Sequence, residues 1–174
     1  MLAAPSSTPY RMTASLRMSK VWSRSTSRFS GGNVPFAHDL AIGIQAELRL
    51  LEHLRQKYPD AYKVEGKHSE YDLVVPGRFT VEVKFDPASQ RTGNVVIEYY
   101  HGKASGLHVS TADWWVFGTG ERDGVIWLTQ SAVRQCIVSE SLQPVKIQGP
   151  DDRLPKWVFL VPLKVLKRYS SQEP

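Results

Sequence analysis

The feature that most constrains the fold is a change of hydrophobic period within about forty residues. From Asp39 the positions Leu40, Ile44, Glu47, Leu51, Leu54 and Tyr58 recur at intervals of 4, 3, 4, 3 and 4. That spacing predicts one face of an amphipathic helix, with Asp39 as its N-cap and Pro59 just past its end. One member of the stripe is not apolar: Glu47 stands where the period calls for a core residue. By FTVEVKF the period has become two. Phe79, Val81, Val83 and Phe85 fall on one face, and Thr80, Glu82 and Lys84 on the other. This is a strand pattern, entered through the turn Pro76-Gly77. A chain that opens on a helix and continues in short strands implies a mixed α/β domain.

The remaining pattern extends that plan. Strands are expected over 61–65, 71–75, 94–100, 113–119, 125–129 and 157–161, and helices over 132–138 and 163–169. Ser131 is a candidate cap for the first of those helices, Glu121-Arg122-Asp123-Gly124 a hairpin turn, and 143–154 a polar loop. At 174 residues with 41% hydrophobic residues and five Trp, the chain can bury a core of one-domain size. No apolar run reaches the roughly 18 residues that a membrane span needs, so no membrane partner is expected. The lone Cys136 excludes an intrachain disulfide and a multi-cysteine zinc site, and beside Ile137 it reads as a small buried hydrophobe.

Charge is unevenly placed. Residues 1–38 hold Arg11, Arg17, Lys20, Arg24 and Arg28 and no acid, so the net charge of +5 resides there and the rest is formally neutral. Residues 1–37 therefore read as a basic, Ser-rich arm, and 38–174 as a single domain. Three readings of the arm stand: salt-sensitive affinity for nucleic acid through Arg24, Arg28 and their neighbours; an organelle transit peptide; or a leader with no role. The expected location is intracellular, in a bacterial or phage-infected cytoplasm. The alternative is a mitochondrion or other organelle if 1–37 are a transit peptide.

Four residues carry possible chemistry: Glu47 on the helix stripe, Asp72 at a strand start, and Glu82 and Lys84 on the next strand. Buried carboxylates are costly unless paired, hydrogen-bonded or bound to metal, and Mg²⁺ favours hard oxygen donors. A metal on such acids polarises a phosphodiester, and an adjacent lysine stabilises the charge that develops. The plainer reading is that Glu82 and Lys84 form a surface pair on a half-exposed strand, worth at most about 1 kcal/mol.

The order Glu47, Tyr71-Asp72, Glu82-Val83-Lys84 resembles the PD-(D/E)xK nuclease superfamily, in which a helix Glu precedes a strand Asp and a strand Glu-x-Lys. Tyr71 stands where that family often has Pro. The resemblance implies a central mixed β-sheet flanked by helices with an αβββαβ restriction-endonuclease-like core, here about 39 to 129. It implies Asp72, Glu82 and the main-chain carbonyl of Val83 as Mg²⁺ ligands, with Mn²⁺ able to substitute. Lys84 would be the catalytic lysine, and Glu47 a further ligand or supporting acid. By the same resemblance the substrate is DNA, cut by a structure-selective endonuclease of the junction-resolvase or flap type, or by a phage-type member. A homodimer would suit junction cleavage. Glu98, on the following strand, is a possible accessory acid. Lys103, Ser105 and His108 are possible nucleic-acid contacts. The alternative function is a non-catalytic nucleic-acid-binding or structural protein that keeps the fold.

Overall fold

A computed structural model of the chain describes residues 35–66, 70–119, 125–148 and 154–174. Most of the basic arm, with Arg24 and Arg28, lies outside the described residues, as does the expected hairpin turn over 121–124.

The first helix among the described residues, α1 (Pro35–Arg55), already runs through the four residues before Asp39. Asp39 is thus inside the helix rather than its N-cap. Packing starts at Ala46: Leu50 and Leu54 are fully buried, whereas Leu40, Ile44 and Leu48 are exposed. Past Arg55 the stripe continues through a turn in which Tyr58 N–H donates to Leu54 O at 2.8 Å, and Tyr58 is buried as the spacing predicts.

Three antiparallel strands follow: β1 (Tyr62–Lys63), β2 (Leu73–Val75) and β3 (Phe79–Phe85). Beyond β3 come a four-residue helix, α2 (Ser89–Thr92), then β4 (Asn94–His101) and a 3₁₀ turn, Gly106–His108. The chain then enters β5 (Trp114–Gly118), parallel to β3, and β6 (Val125–Thr129), antiparallel to β5. The main sheet is mixed, in the order β1-β2-β3-β5-β6. After α3 (Gln130–Ser139), strands β7 (Val145–Ile147) and β8 (Lys156–Pro162) join β4 in a second sheet of order β4-β8-β7, and α4 (Leu163–Arg168) follows.

The domain is therefore mixed α/β, and the helix followed by an antiparallel strand trio matches the expected order. One expected part differs. The crossover from β3 to parallel β5 is not an ordinary helix but α2 plus β4, which leaves for a second sheet. The α3 cap also differs: Thr129, still extended at the end of β6, accepts from Ala132 N–H at 3.1 Å, two residues before the expected Ser131. The loop expected over 143–154 contains β7, an edge strand exposed along most of its length. Its ladder to β8 forms without the alternating burial that a hydrophobic pattern records.

Two cores result, one on each face of the main sheet. Ala46, Leu50, Leu51 and Leu54 of α1 pack on Leu73, Val75, Val81, Val83, Val116 and Trp127. Burying each such Leu side chain is worth about 1.5–3 kcal/mol. On the other face, Trp115, Phe117, Ile126 and Leu128 pack with Val95, Ile97 and Val161 of the second sheet and with Val133, Cys136 and Leu166 of the later helices.

Candidate active site

β3 lies between β2 and β5 in the sheet order; β2 pairs with it only as far as Val81, while β5 pairs along Val81–Phe85 and so runs beside both Glu82 and Lys84. Alternation sends Val81 and Val83 toward α1 and turns Glu82 and Lys84 to the face that carries Trp115 and Phe117. Glu82 is only 6% exposed. Its Oε1 lies 2.5 Å from Lys84 Nζ, and the Lys84 side chain is 32% exposed. A surface pair is thereby excluded for Glu82.

The electrostatics follow from that placement. Burial pushes the Glu82 carboxyl above its ordinary range; the Lys84 ammonium pulls it back, and Asp72 and then Glu47 push it further up. Burial alone would lower the Lys84 ammonium. The charge and hydrogen bond of Glu82, with smaller help from Asp72 and Glu98, outweigh it and raise Lys84 above the ordinary lysine value. The lysine is held as a cation, and the glutamate beside it takes up a proton more readily than a free one.

Asp72 approaches from the β2 side. Its main-chain N–H donates to Val81 O at 2.9 Å, and its Oδ2 accepts from Val83 N–H at 2.7 Å. The β2–β3 ladder ends at the pair Leu73 and Val81. The carboxylate thus replaces the main-chain partner that the interior of β3 lacks beyond that point. Asp72 has a structural task as well as a position beside Glu82.

Glu47 lies on α1, over the opposite face of the sheet. Its Oε2 is 2.5 Å from Lys63 Nζ, an ion-pair contact outside hydrogen-bonding geometry. Its charge acts on Glu82 more weakly than those of Lys84 and Asp72. Glu98 is half-buried on β4 and reaches Lys84 only through its charge. Lys103, Ser105 and His108 make their contacts locally. Lys103 O accepts from His101 N–H, Ser105 N–H donates to Tyr99 O, and the His108 ring stacks on Tyr99 at 5.3 Å. His53 is half-buried, with Nε2 3.0 Å from Glu173 Oε1.

Among the described residues no three His, Cys, Asp or Glu side chains are gathered as a metal-holding group. The donor chemistry at Asp72 and Glu82 still suits a hard cation: two carboxylates whose charges act on each other, one of them buried and raised chiefly by that burial. Glu47, committed to Lys63, is placed to act behind them.

Two residues at the site were not legible as part of it. Trp115 lies beneath Lys84, with Nζ 5.7 Å from its ring centroid. Only the parallel pairing of β3 with β5 brings them together, and sequence periodicity does not report pairing. Lys63, the partner of Glu47, gave no signal beyond its charge. On the same side of the sheet as the second core, Tyr99, Leu107, His108, Arg134, Ile137, Val138 and Phe159 line an apolar groove of about 390 Å³. No protein-family model, no curated protein and no solved structure matches the chain.

Proposed function

We propose that the chain is a Mg²⁺-dependent nuclease that hydrolyses DNA phosphodiester bonds. Its core would be a PD-(D/E)xK domain in which the β3–β5 crossover is largely a strand. The observation that carries this reading is a carboxylate buried on a central strand, with a second carboxylate across from it and a lysine two residues on. Such a group is costly as mere structure and useful as a cation site.

Asp72 and Glu82, with the main-chain carbonyl of Val83, would hold Mg²⁺, or Mn²⁺ in its place. A bound divalent cation there would neutralise charge on the scissile phosphate and stabilise the leaving oxygen. Lys84 holds its proton firmly, so its ammonium serves as a fixed donor to the phosphate oxygens or to the attacking water rather than as a base. Glu47 tunes Glu82 by its negative charge, and Glu98 supports the charged form of Lys84. With a formally neutral folded body, the basic arm supplies the salt-sensitive share of DNA affinity. The domain is small, which favours recognition of DNA shape, such as a junction or flap in recombination, repair or replication.

A second reading rests on one observation: each acid has a protein partner, Asp72 on Val83 N–H, Glu82 on Lys84 and Glu47 on Lys63. In that reading the cluster is structural and the domain binds nucleic acid without cutting it. Cleavage of labelled duplex, single-stranded, flap and four-way-junction DNA, with Mg²⁺ or with EDTA, separates the two. The nuclease reading expects metal-dependent cutting that is lost in Lys84→Ala and Asp72→Ala. Cutting in EDTA, or full activity in both variants, would overturn it, and binding without cutting of any substrate would favour the second reading.

A further inference from the structure

Resting on the reading of Lys84 as the lysine of a phosphodiester-hydrolysing site, we propose that Trp115 is a positioning residue: its indole face fixes where the Lys84 ammonium sits. The parallel register places Trp115 beside Glu82 and Phe117 beside Lys84 on one face of the sheet. Both rings are essentially fully buried, with centroids 5.9 Å apart and planes tilted by 35°. They form an aromatic floor on the sheet face that carries Lys84. Lys84 Nζ lies 5.7 Å from the Trp115 centroid, within cation–π reach, and 2.5 Å from Glu82 Oε1.

A lysine has a flexible four-carbon stem, and one that is a third exposed would otherwise sample many rotamers. The carboxylate fixes its tip from one direction and the indole face from another. Of the two holds, only that of Trp115 is independent of what Glu82 binds. The indole N–H supports the same reading. Trp115 Nε1 is buried and has no hydrogen-bonding partner among the described residues, although buried Trp normally finds one. A Phe would fill core space here without burying that N–H. What Trp adds is the larger, more strongly cation-attracting π face.

The test uses the full chain carrying ¹³Cε-labelled lysine, with the Lys84 signal identified by its absence in Lys84→Met. The εCH₂ protons of Lys84 should resonate upfield of the other lysines because of the ring current of Trp115. The shift should be partly kept in Trp115→Phe and lost in Trp115→Leu. In cleavage assays Trp115→Leu should lower kcat by about tenfold, the scale of one cation–π contact, with KM little changed and Trp115→Phe intermediate. An unshifted Lys84 signal in the wild type, or equal retention of the shift in the Phe and Leu variants, would overturn the proposal. The wild-type spectrum decides even if Trp115→Leu does not fold. Absence of cleavage by the wild type would count against the nuclease reading alone, because the resonance position does not depend on activity.

Discussion

Asp72 offers the sharpest separation of structure from chemistry. Its Oδ2 accepts from Val83 N–H at 2.7 Å, and Val83 is a buried member of the core beneath α1. In Asp72→Ala that N–H loses its acceptor while it stays inside the sheet. Leaving a buried donor unsatisfied costs about 1–3 kcal/mol, and loss of the charge-assisted character places this case toward the upper part of that range. For a domain of this size, each kcal/mol is worth about 2–4 °C in Tm. Asp72→Asn has the same shape and keeps an acceptor oxygen, so it should cost about 1 kcal/mol or less, the worth of one neutral hydrogen bond. Urea unfolding at pH 7 measures both, provided the urea dependence of the free energy is unchanged. Cation binding, by contrast, needs the negative charge and should be lost in both variants. Asn as damaging to stability as Ala, or Ala nearly neutral, would refute the role assigned to the carboxylate in capping β3.

Further predictions concern the rest of the site and its supports. Glu82 has a folded pKa above the ordinary 4.5, so the native state holds a proton that the unfolded chain releases, and stability should fall as pH rises upward from 4.5. Glu82→Gln should flatten that slope relative to wild type in urea midpoints taken across the acid range; an unchanged slope would count against burial of the carboxyl. Gly106 has φ +51°, and a Cβ there would meet the Glu98 carbonyl, so Gly106→Ala should destabilise by about 1–3 kcal/mol or more in thermal unfolding. Cys136 is 1% exposed and its thiol is pushed up by burial, so a thiol reagent should label it only after denaturant is added.

The secondary structure was largely legible because it rests on periodicity. FTVEVKF occupies β3 residue for residue, and the helical stripe led to α1 with its buried Leu51 and Leu54 and to Tyr58 in the turn beyond it. The same stripe misled at its start. Leu40 and Ile44 have helical spacing but no sheet beneath them, and spacing cannot report where a partner ends. The two-residue β1, the exposed β7 and the four-residue α2 were missed or misjudged because so little burial marks them. Burial of Glu82 followed only from knowing that β3 is central, which the sequence left open between an edge and an interior. Pairings across the fold, such as Trp115 under Lys84 and Lys63 on Glu47, depend on strand order and helix docking.

The central claim is that Asp72 and Glu82 form a divalent-cation site beside Lys84. Substoichiometric Mn²⁺ added to ¹⁵N-labelled protein, with and without a short DNA duplex, tests it without reliance on turnover. Paramagnetic broadening should begin at the amides of Asp72, Glu82, Val83 and Lys84 and be reversed by excess Mg²⁺. It should be absent in Glu82→Gln. Broadening centred elsewhere, or none at these amides under either condition, would contradict the account.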